Sequence, residues 1–246
     1  MTTILIDGDI VLYEICTGCE RATDWGDDIW TYHCDLKEAK QKYDCWIDRV
    51  KEEVGASKVI IAMSGSENWR KEVLPSYKLH RKKHRKPMAF KALKEYSNET
   101  YRTFQFHNLE ADDVLGLLAG EPGIAKIEGE RVIVTIDKDL KTIPGLHYNP
   151  RKPYEGVCEV SQDQADYNHL FQTLTGDPVD GYSGCPGIGP RRAARVLDYP
   201  CWGAVLEAFE GAGLSPEEAL VQARVARILR YGEYNTDTKE VNLWNP

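Results

Sequence analysis

Three runs of apolar, mostly β-branched residues divide the sequence, and each is followed at once by small or acidic residues. The runs cover residues 3–6, 58–63 and 131–136, and helix-like patterns lie between them. β-Branched runs of this kind are typical of parallel strands that are buried on both faces. Because strands and helices alternate, we predict an α/β fold with a mostly parallel central sheet, right-handed crossovers and flanking helices.

A cluster of carboxylates follows a fourth segment, the alternating residues 103–107. Glu110, Asp112 and Asp113 place three acids within four residues, directly before the apolar run 114–119. This order indicates a strand, a tight junction and a helix, with the acids at the junction. One explanation is structural, because acids are favoured in the first turn of a helix, where they meet the positive end of the dipole.

The same arrangement recurs at other strand ends, which favours a functional explanation. Asp7 and Asp9 follow the first run, and Asp137 and Asp139 follow residues 131–136. Since the carboxyl ends of parallel strands share one edge of a sheet, this edge is predicted to collect six acids, namely Asp7, Glu110, Asp112, Asp113, Asp137 and Asp139. Crowded carboxylates require cations, and oxygen ligands without clustered His or Cys favour Mg²⁺ or Mn²⁺ over zinc.

Length and cysteine content restrict the class of protein. A chain of 246 residues forms one large domain or two small ones, and no apolar run is long enough for a membrane span. The sequence enters a strand almost at once, which leaves no room for a signal peptide. Seven cysteines without such a signal predict reduced thiols and a cytoplasmic protein. The single CxxC at 16–19 lacks a second half, so we do not expect a zinc or redox site there.

Charge is unevenly distributed along the chain. The net charge is −8, yet residues 70–94 contain ten lysines and arginines against one acid, Glu72. Tyr77 and Phe90 lie among these cations, and such interleaving suits a surface that binds phosphates and stacks bases. The alternatives are a solvated loop or a localisation-like basic tract; the position beside the acidic edge favours phosphate binding.

The C-terminal third has helical patterns interrupted by a glycine-rich segment. Ser161 caps a helix that we expect to end at Gly176, and five glycines and three prolines then exclude regular structure over 176–190. Pro190 suits the first position of a new helix. The turn 187–189 therefore opens onto a helix N-terminus, which can bind a phosphate, and Arg191 and Arg192 add charge. A last helix is predicted from Ser215 to about residue 230.

Together these motifs resemble the 5′-nuclease family, which includes flap endonucleases and phage 5′→3′ exonucleases. The resemblance covers most of the chain, and the small exonucleases of bacteriophage replication are the most similar. It is carried by residues 6–8, 77–81 (Tyr-Lys-Leu-His-Arg), 110–113, 135–139, and 176–180 with 187–189. The resemblance implies a PIN-like or Rossmann-like core over 1–160 with a basic helical arch at about 66–100. Residues 161–246 then form a helical DNA-binding region, with a helix-3-turn-helix type motif at 176–198.

The family's functional residues transfer to matching positions of this sequence. By resemblance, the carboxylates of the first metal site are Asp7, Glu110, Asp112, Asp137 and Asp139, and those of a second, more distant site are Asp113, Asp177 and Asp180. Lys78 and Arg81 are expected on the arch at the scissile phosphate, where they and Asp137 are the predicted catalytic residues. The predicted DNA contacts are Arg70, Tyr77 (as a ring for terminal bases), Lys78, Arg81, Lys82, Gly187, Gly189, Arg191 and Arg192. A monovalent cation such as K⁺ is implied in the loop 181–189.

One position departs from the family pattern. Ser64 follows the second apolar run, where the family has an aspartate, and Asp9 stands where the family more often has an amide. We predict a monomeric, membrane-free enzyme with two Mg²⁺ or Mn²⁺ ions that hydrolyses duplex DNA from 5′ ends, including flaps and RNA primers in DNA–RNA hybrids. The resemblance to phage enzymes places it in the host cytoplasm. Two alternatives are a PIN-type ribonuclease and, because of Ser64, a non-catalytic DNA-binding protein with a decayed metal site.

Overall fold

The computed structural model describes residues 1–80, 85–120, 125 and 127–246, so the predictions for Arg81 and Lys82 lie outside the described residues. Its strands are β1 (Thr2–Asp7), β2 (Glu20–Asp24), β3 (Trp30–Cys34), β4 (Lys58–Met63), β5 (Thr103–Gln105), β6 (Glu130–Val134), β7 (Gly145–Tyr148), β8 (Val157–Val160), β9 (Tyr234–Asn235) and β10 (Glu240–Val241). Its helices are α1 (Gly8–Cys19), α2 (Leu36–Val54), α3 (Arg70–Val73), α4 (Phe90–Thr100), α5 (Ala111–Gly120), α6 (Gln162–Thr175), α7 (Pro190–Val196), α8 (Trp202–Gly211) and α9 (Pro216–Ala226), with 3₁₀ turns at Lys138–Thr142 and Pro153–Glu155.

Six of the strands form one central sheet in the order β5-β4-β1-β6-β7-β8. The pairs from β5 to β7 are parallel, and β8 is antiparallel to β7. The three apolar runs are therefore neighbouring strands at the centre of the sheet, as their β-branched composition predicts. The α/β class with a mostly parallel sheet is confirmed.

Each face of the sheet carries a separate apolar core. Ile4 and Ile6 pack with α1, α2 and α4 on one face, and Leu5 packs with α5 on the other. At the end of β1 the approach is so close that a Cβ on Gly8 would lie 2.6 Å from Ile61 Cγ2 and 2.8 Å from the Ala62 carbonyl oxygen. Glycine at position 8 therefore allows α1 to begin directly against β4.

Two regions contain strands that the sequence patterns did not predict. Residues 145–148 and 157–160, for which the sequence patterns indicated no strand, contribute β7 and β8 to the sheet. Each of these strands has only four residues, too few to establish a period. The tail after residue 230 forms the hairpin β9–β10, and Tyr234 packs in the core beside α5. The C-terminal residues thus pack against the core on the α5 face of the central sheet. The domain boundary at residue 160 remains a prediction.

Most helix boundaries follow the predicted capping residues. Ser161 Oγ accepts from Gln164 N, and α6 ends at Gly176. The last helix was expected to reach about residue 230 but ends at Ala226. Its continuation is prevented because the carbonyl oxygens of Val225 and Arg227 accept N–H groups of the buried Arg70 guanidinium. The side chain of Arg70, 155 positions before Val225, thus takes the place of the backbone N–H groups that would donate in a further helical turn.

The remaining features agree with the expected class of protein. Residues 20–34 form a hairpin, β2–β3, and its Trp25 and Trp30 are exposed. All seven cysteines are free thiols. Within the described ranges, no helix has the length and apolar character needed to span a bilayer.

Candidate active site

Seven of the eight predicted carboxylates line one cavity of about 540 Å³ at the carboxyl edge of the sheet. We call it the carboxylate cavity; besides Asp9, its acids are the predicted ligands Asp7, Glu110, Asp112, Asp137, Asp139, Asp177 and Asp180. Asp7 ends β1 and caps α1, and Asp137 follows β6 and caps the first 3₁₀ turn. Glu110 directly precedes α5. The arrangement follows from parallel strands that end at the same edge, with acids at the end of β1 and after β5 and β6.

The crowded acids resist ionisation. Burial, with repulsion from Asp9 and Asp137, raises the pKa of Asp7 to about 7. Burial and the neighbouring Asp7 raise the pKa of Asp112 well above its ordinary value. Burial and Asp137 raise the pKa of Asp139 to about 6. A cation placed among these groups would favour their charged forms, so the cavity has the electrostatics of a cation site.

Lys78 is a cation that lies among the acids of this cavity. Its Nζ lies 2.6 Å from Glu110 Oε1 and 3.3 Å from Asp180 Oδ2. Burial alone would raise the pKa of Glu110, but Lys78 and Arg70 outweigh it and lower the pKa to about 2. Lys78 has the left-handed φ of 52°, and its backbone N–H donates to the Asp180 carbonyl oxygen. This left-handed conformation is unfavourable for a lysine, so the surrounding structure must hold Lys78, a predicted catalytic residue, in its position.

Asp113 does not line the cavity, and its role as a metal ligand stays a prediction that its surroundings do not support. The side chain is fully buried, and its two oxygens each lie 2.7 Å from a guanidinium nitrogen of Arg70. Trp69 Nε1 and the backbone N–H of Leu229 donate to the same carboxylate. With Asp112 facing the cavity, the next residue of the helix is turned by about 100° into the protein.

Arg70 and Tyr77, which were predicted to contact DNA, are both buried, and these contacts stay predictions. Arg70 is only 2% exposed, and its guanidinium donates to Asp113, Glu110 and backbone carbonyls. Tyr77 is 3% exposed, so little of its ring is open to a base. Its hydroxyl donates to Glu110 and Asp180 at 2.9 and 3.0 Å. Both residues line the cavity, and both are bonded to its acids.

Ser64, the departure from the family pattern, connects three elements at the rim. Its Oγ accepts from the backbone N–H of Ala111 at 3.0 Å, so it helps to satisfy the first turn of α5. Its own N–H donates to Asp9, and its carbonyl oxygen accepts from Lys94 Nζ at 3.1 Å. Asp9 therefore takes a structural role here, while both residues line the cavity.

The donor set fits hard divalent cations, although the ligands are not gathered around one point. In the described residues no three Asp, Glu, His or Cys side chains are close enough together to coordinate a single ion. Lys78 separates Glu110 from Asp180, and Gln172 Nε2 holds Asp139 Oδ1 at 2.7 Å. Oxygen-only ligands with mutually raised pKa values are the donors that Mg²⁺ and Mn²⁺ prefer.

Comparisons with known proteins identify the family. The 5′-3′ exonuclease N-terminal resolvase-like domain matches residues 2–147. The exodeoxyribonuclease of Enterobacteria phage T3 is 31% identical over 99% of this chain and 92% of its own. The chain belongs to the 5′-3′ exonuclease family. The flap endonuclease Xni of Shewanella sp. (strain ANA-3) is 31% identical over 70% of each chain. Among solved structures, a complex of the bacteriophage T5 flap endonuclease with DNA and metal ions shares the fold, with a TM-score of 0.62, 15% identity and coverage of 92% and 93%.

In this member of the 5′-3′ exonuclease family the glycine-rich segment lies beside the cavity and continues outward. Gly176 packs so closely that an added Cβ would lie 2.3 Å from the Ser183 carbonyl carbon. The N-terminal part of the segment thereby brings Asp177 and Asp180 to the cavity. Further along, Pro190 begins α7 as predicted. The predicted duplex contacts in this part, Gly187, Gly189, Arg191 and Arg192, are all exposed and line no part of the cavity.

Two residues at the site were missed by sequence reasoning. Gln172 lies on α6 and donates to Asp139, although nothing in its local pattern distinguishes it from other polar helix residues. Lys138 lies between Asp137 and Asp139 and lines the carboxylate cavity. Its position inside an Asp-Lys-Asp triplet was a signal that could have been used, since any side chain there must lie at the edge of the metal site.

Proposed function

We propose that the protein hydrolyses phosphodiester bonds of DNA at 5′ ends with divalent metal ions held in the carboxylate cavity. The observation that carries this proposal is the convergence of seven predicted ligand acids on one cavity that also contains Lys78. The T5 relative, whose solved complex contains DNA and metal ions, supports the same chemistry. We propose two ions, Mg²⁺ or Mn²⁺.

Each part of the cavity has a proposed role. Asp7, Glu110, Asp112, Asp137 and Asp139 hold the metal, and Asp177 and Asp180 hold a second, more distant site. When bound, such ions lower the pKa of water and stabilise the leaving 3′-oxygen. Lys78 stabilises charge that develops on the scissile phosphate, a role worth a few kcal/mol when the group is preorganised. Arg81 is proposed to assist it.

Substrate selection is proposed to depend on the surface beyond the cavity. The exposed turn 187–189, with Arg191 and Arg192, is suited to bind duplex phosphates, and a K⁺ ion in the loop 181–189 would complete this contact. Lys82 is proposed as a further DNA contact on the arch. We propose blunt duplex, 5′ flaps and DNA–RNA hybrids as substrates of a monomeric enzyme that works in the cytoplasm of a host cell.

Product sizing on 5′-labelled substrates tests this proposal. Blunt duplex, flapped duplex and DNA–RNA hybrid are each incubated with Mg²⁺ or Mn²⁺, and EDTA provides the control. We expect short products from the 5′ end that EDTA abolishes. Cleavage of single-stranded RNA alone would favour a PIN-type ribonuclease, and duplex binding without cleavage would favour a non-catalytic DNA-binding protein. Either result would overturn the proposed function.

A further inference from the structure

Lys138 occupies a junction of the surface around the carboxylate cavity. It is the first residue of the 3₁₀ turn Lys138–Thr142, and its side chain is exposed. The carboxylate cavity adjoins three others, of about 940, 220 and 280 Å³. Of the residues that the structure describes, Lys138 alone lines all four. A DNA strand that leaves the carboxylate cavity through any of the three neighbouring cavities would pass the side chain of Lys138.

Several of the other cations around these cavities already have partners, and Lys141, which has none among the described residues, lines only two of the outer cavities. Lys78 is paired with Glu110, and Arg85 Nη2 lies 2.5 Å from Glu20 Oε1. Lys94 donates to the Ser64 carbonyl oxygen, and Lys152 pairs with Glu155 at 2.9 Å. These groups would have to give up a contact before they could bind a ligand.

Lys138 makes no ion pair or side-chain hydrogen bond with any residue in the described part of the chain, although an acid stands on each side of it. Asp137 Oδ1 accepts the backbone N–H of Asp139, and Asp139 Oδ1 accepts from Gln172. Both neighbouring carboxylates are thereby held by other donors within the turn. The ammonium of Lys138 acts on Asp139 only as a nearby positive charge, and it keeps its three donors for a ligand.

We propose that Lys138 binds a phosphate of the DNA strand adjacent to the scissile phosphate and so positions the strand over the carboxylate cavity. This inference rests on the proposed nuclease function and deepens it. An unpaired lysine contributes to nucleic-acid binding as a point charge that neutralises one phosphate and releases its condensed counterions. Lys138 is thus a substrate-binding residue beside the metal site, distinct from the acids that flank it.

The salt dependence of DNA binding tests the proposal. Lys138→Met removes the charge with little change in length, and Lys138→Arg keeps the charge. Binding of a labelled 5′-flapped duplex is measured by fluorescence anisotropy in Ca²⁺ between about 50 and 200 mM salt. Over this range the affinity that comes from phosphate contacts falls strongly. We expect the slope of log K against log[salt] to become shallower by about 0.9 in Lys138→Met, and to stay unchanged in Lys138→Arg.

Lys152→Met is the matched control, because that lysine is exposed and already paired with Glu155. We expect its slope to equal that of the unmodified protein. In Mg²⁺, Lys138→Met should raise KM more than it lowers kcat. An unchanged slope in Lys138→Met, or an equal change in Lys152→Met, would overturn the assignment of Lys138. Failure of the unmodified protein to cleave would overturn the proposed function instead, so the two failures are distinguishable.

Discussion

The ammonium of Lys78 lies 2.6 Å from Oε1 of Glu110, inside the group of acids that we propose as metal ligands. The same ammonium lies 3.3 Å from Asp180, and Tyr77 donates to both carboxylates. Lys78 therefore acts as an internal counter-ion for two predicted ligands of different metal sites. A metal ion that binds Glu110 or Asp180 must compete with it, and the competition releases the lysine for the substrate phosphate.

We expect Lys78→Met to bind divalent metal more tightly than the unmodified protein. Removal of the ammonium takes one competing cation away from Glu110, which keeps its contact with Arg70, and from Asp180. A gain of about tenfold in affinity corresponds to about 1.4 kcal/mol. Calorimetric titration with Mn²⁺ measures this directly, without DNA and without turnover. Lys78→Arg is the control, because it keeps the charge. Equal or weaker Mn²⁺ binding in Lys78→Met would contradict the competition.

The same substitution should slow hydrolysis far more than it weakens binding of duplex DNA. Loss of a preorganised positive charge at the reacting phosphate costs on the order of 100-fold in kcat. One cation among many phosphate contacts contributes much less to affinity. Single-turnover cleavage in Mg²⁺ and binding in Ca²⁺ separate the two effects. A proportional loss in both would make Lys78 a binding contact only.

Asp137→Ala should abolish cleavage and leave DNA binding measurable. Asp137 lines the cavity and raises the pKa values of Asp7 and Asp139 by repulsion. Its loss removes a metal ligand, while the proposed phosphate contacts beyond the cavity remain. The measurement is cleavage of 5′-labelled duplex beside a binding assay on the same preparation. Retained turnover would exclude Asp137 from the mechanism.

The general arrangement of the site could be predicted because it depends on local patterns. Apolar runs identified the central strands. The acids after two of these runs and after the alternating segment 103–107 placed Asp7, Asp137 and Glu110 at one edge. Parallel topology alone is sufficient for that inference. The short strands β7 and β8 could not be predicted, since four residues establish no period.

The direction of individual side chains depends on partners that are distant in the chain. Asp113 is bound by Arg70, 43 positions earlier, and by the backbone of Leu229, 116 positions later. The helical spacing did argue against a ligand role for Asp113, because this residue lies on the same helix face as the buried Leu117, four residues later. Tyr77 was likewise assigned to bases from its neighbours in sequence, whereas its hydroxyl is bonded to Glu110 and Asp180.

Asp113→Asn should destabilise the fold and leave metal affinity unchanged. Removal of one partner from a buried, bidentate ion pair leaves Arg70 uncompensated, which costs on the order of 3 kcal/mol. Urea unfolding of the metal-free protein measures this loss. Asp177→Asn is the matched control; an amide can keep its contact to Val179 N, so we expect a change below about 0.5 kcal/mol. A stable Asp113→Asn variant with weakened Mn²⁺ binding would restore Asp113 as a ligand.

His169 should make the protein less stable in mild acid. Burial, reinforced by Arg227, lowers the pKa of this histidine to about 3, and its Nε2 lies 2.8 Å from the Ala223 carbonyl oxygen. Below the ordinary pKa of about 6.5 the unfolded chain binds a proton that the folded protein excludes. The free energy of unfolding therefore falls as the pH drops, by about 2 kcal/mol from this group at pH 5.

His169→Gln isolates that contribution, because an amide can donate to Ala223 but does not titrate. Burial raises the pKa values of Asp7 and Asp139, which favours the folded state as the pH falls, and this opposing effect is common to both proteins. We compare urea unfolding at pH 7 and pH 5 for the two proteins. The loss of stability between these pH values should be smaller in His169→Gln by about 2 kcal/mol. An equal loss in both would mean that His169 takes up its proton in the folded state, and that a charged imidazole is accommodated between α6 and α9.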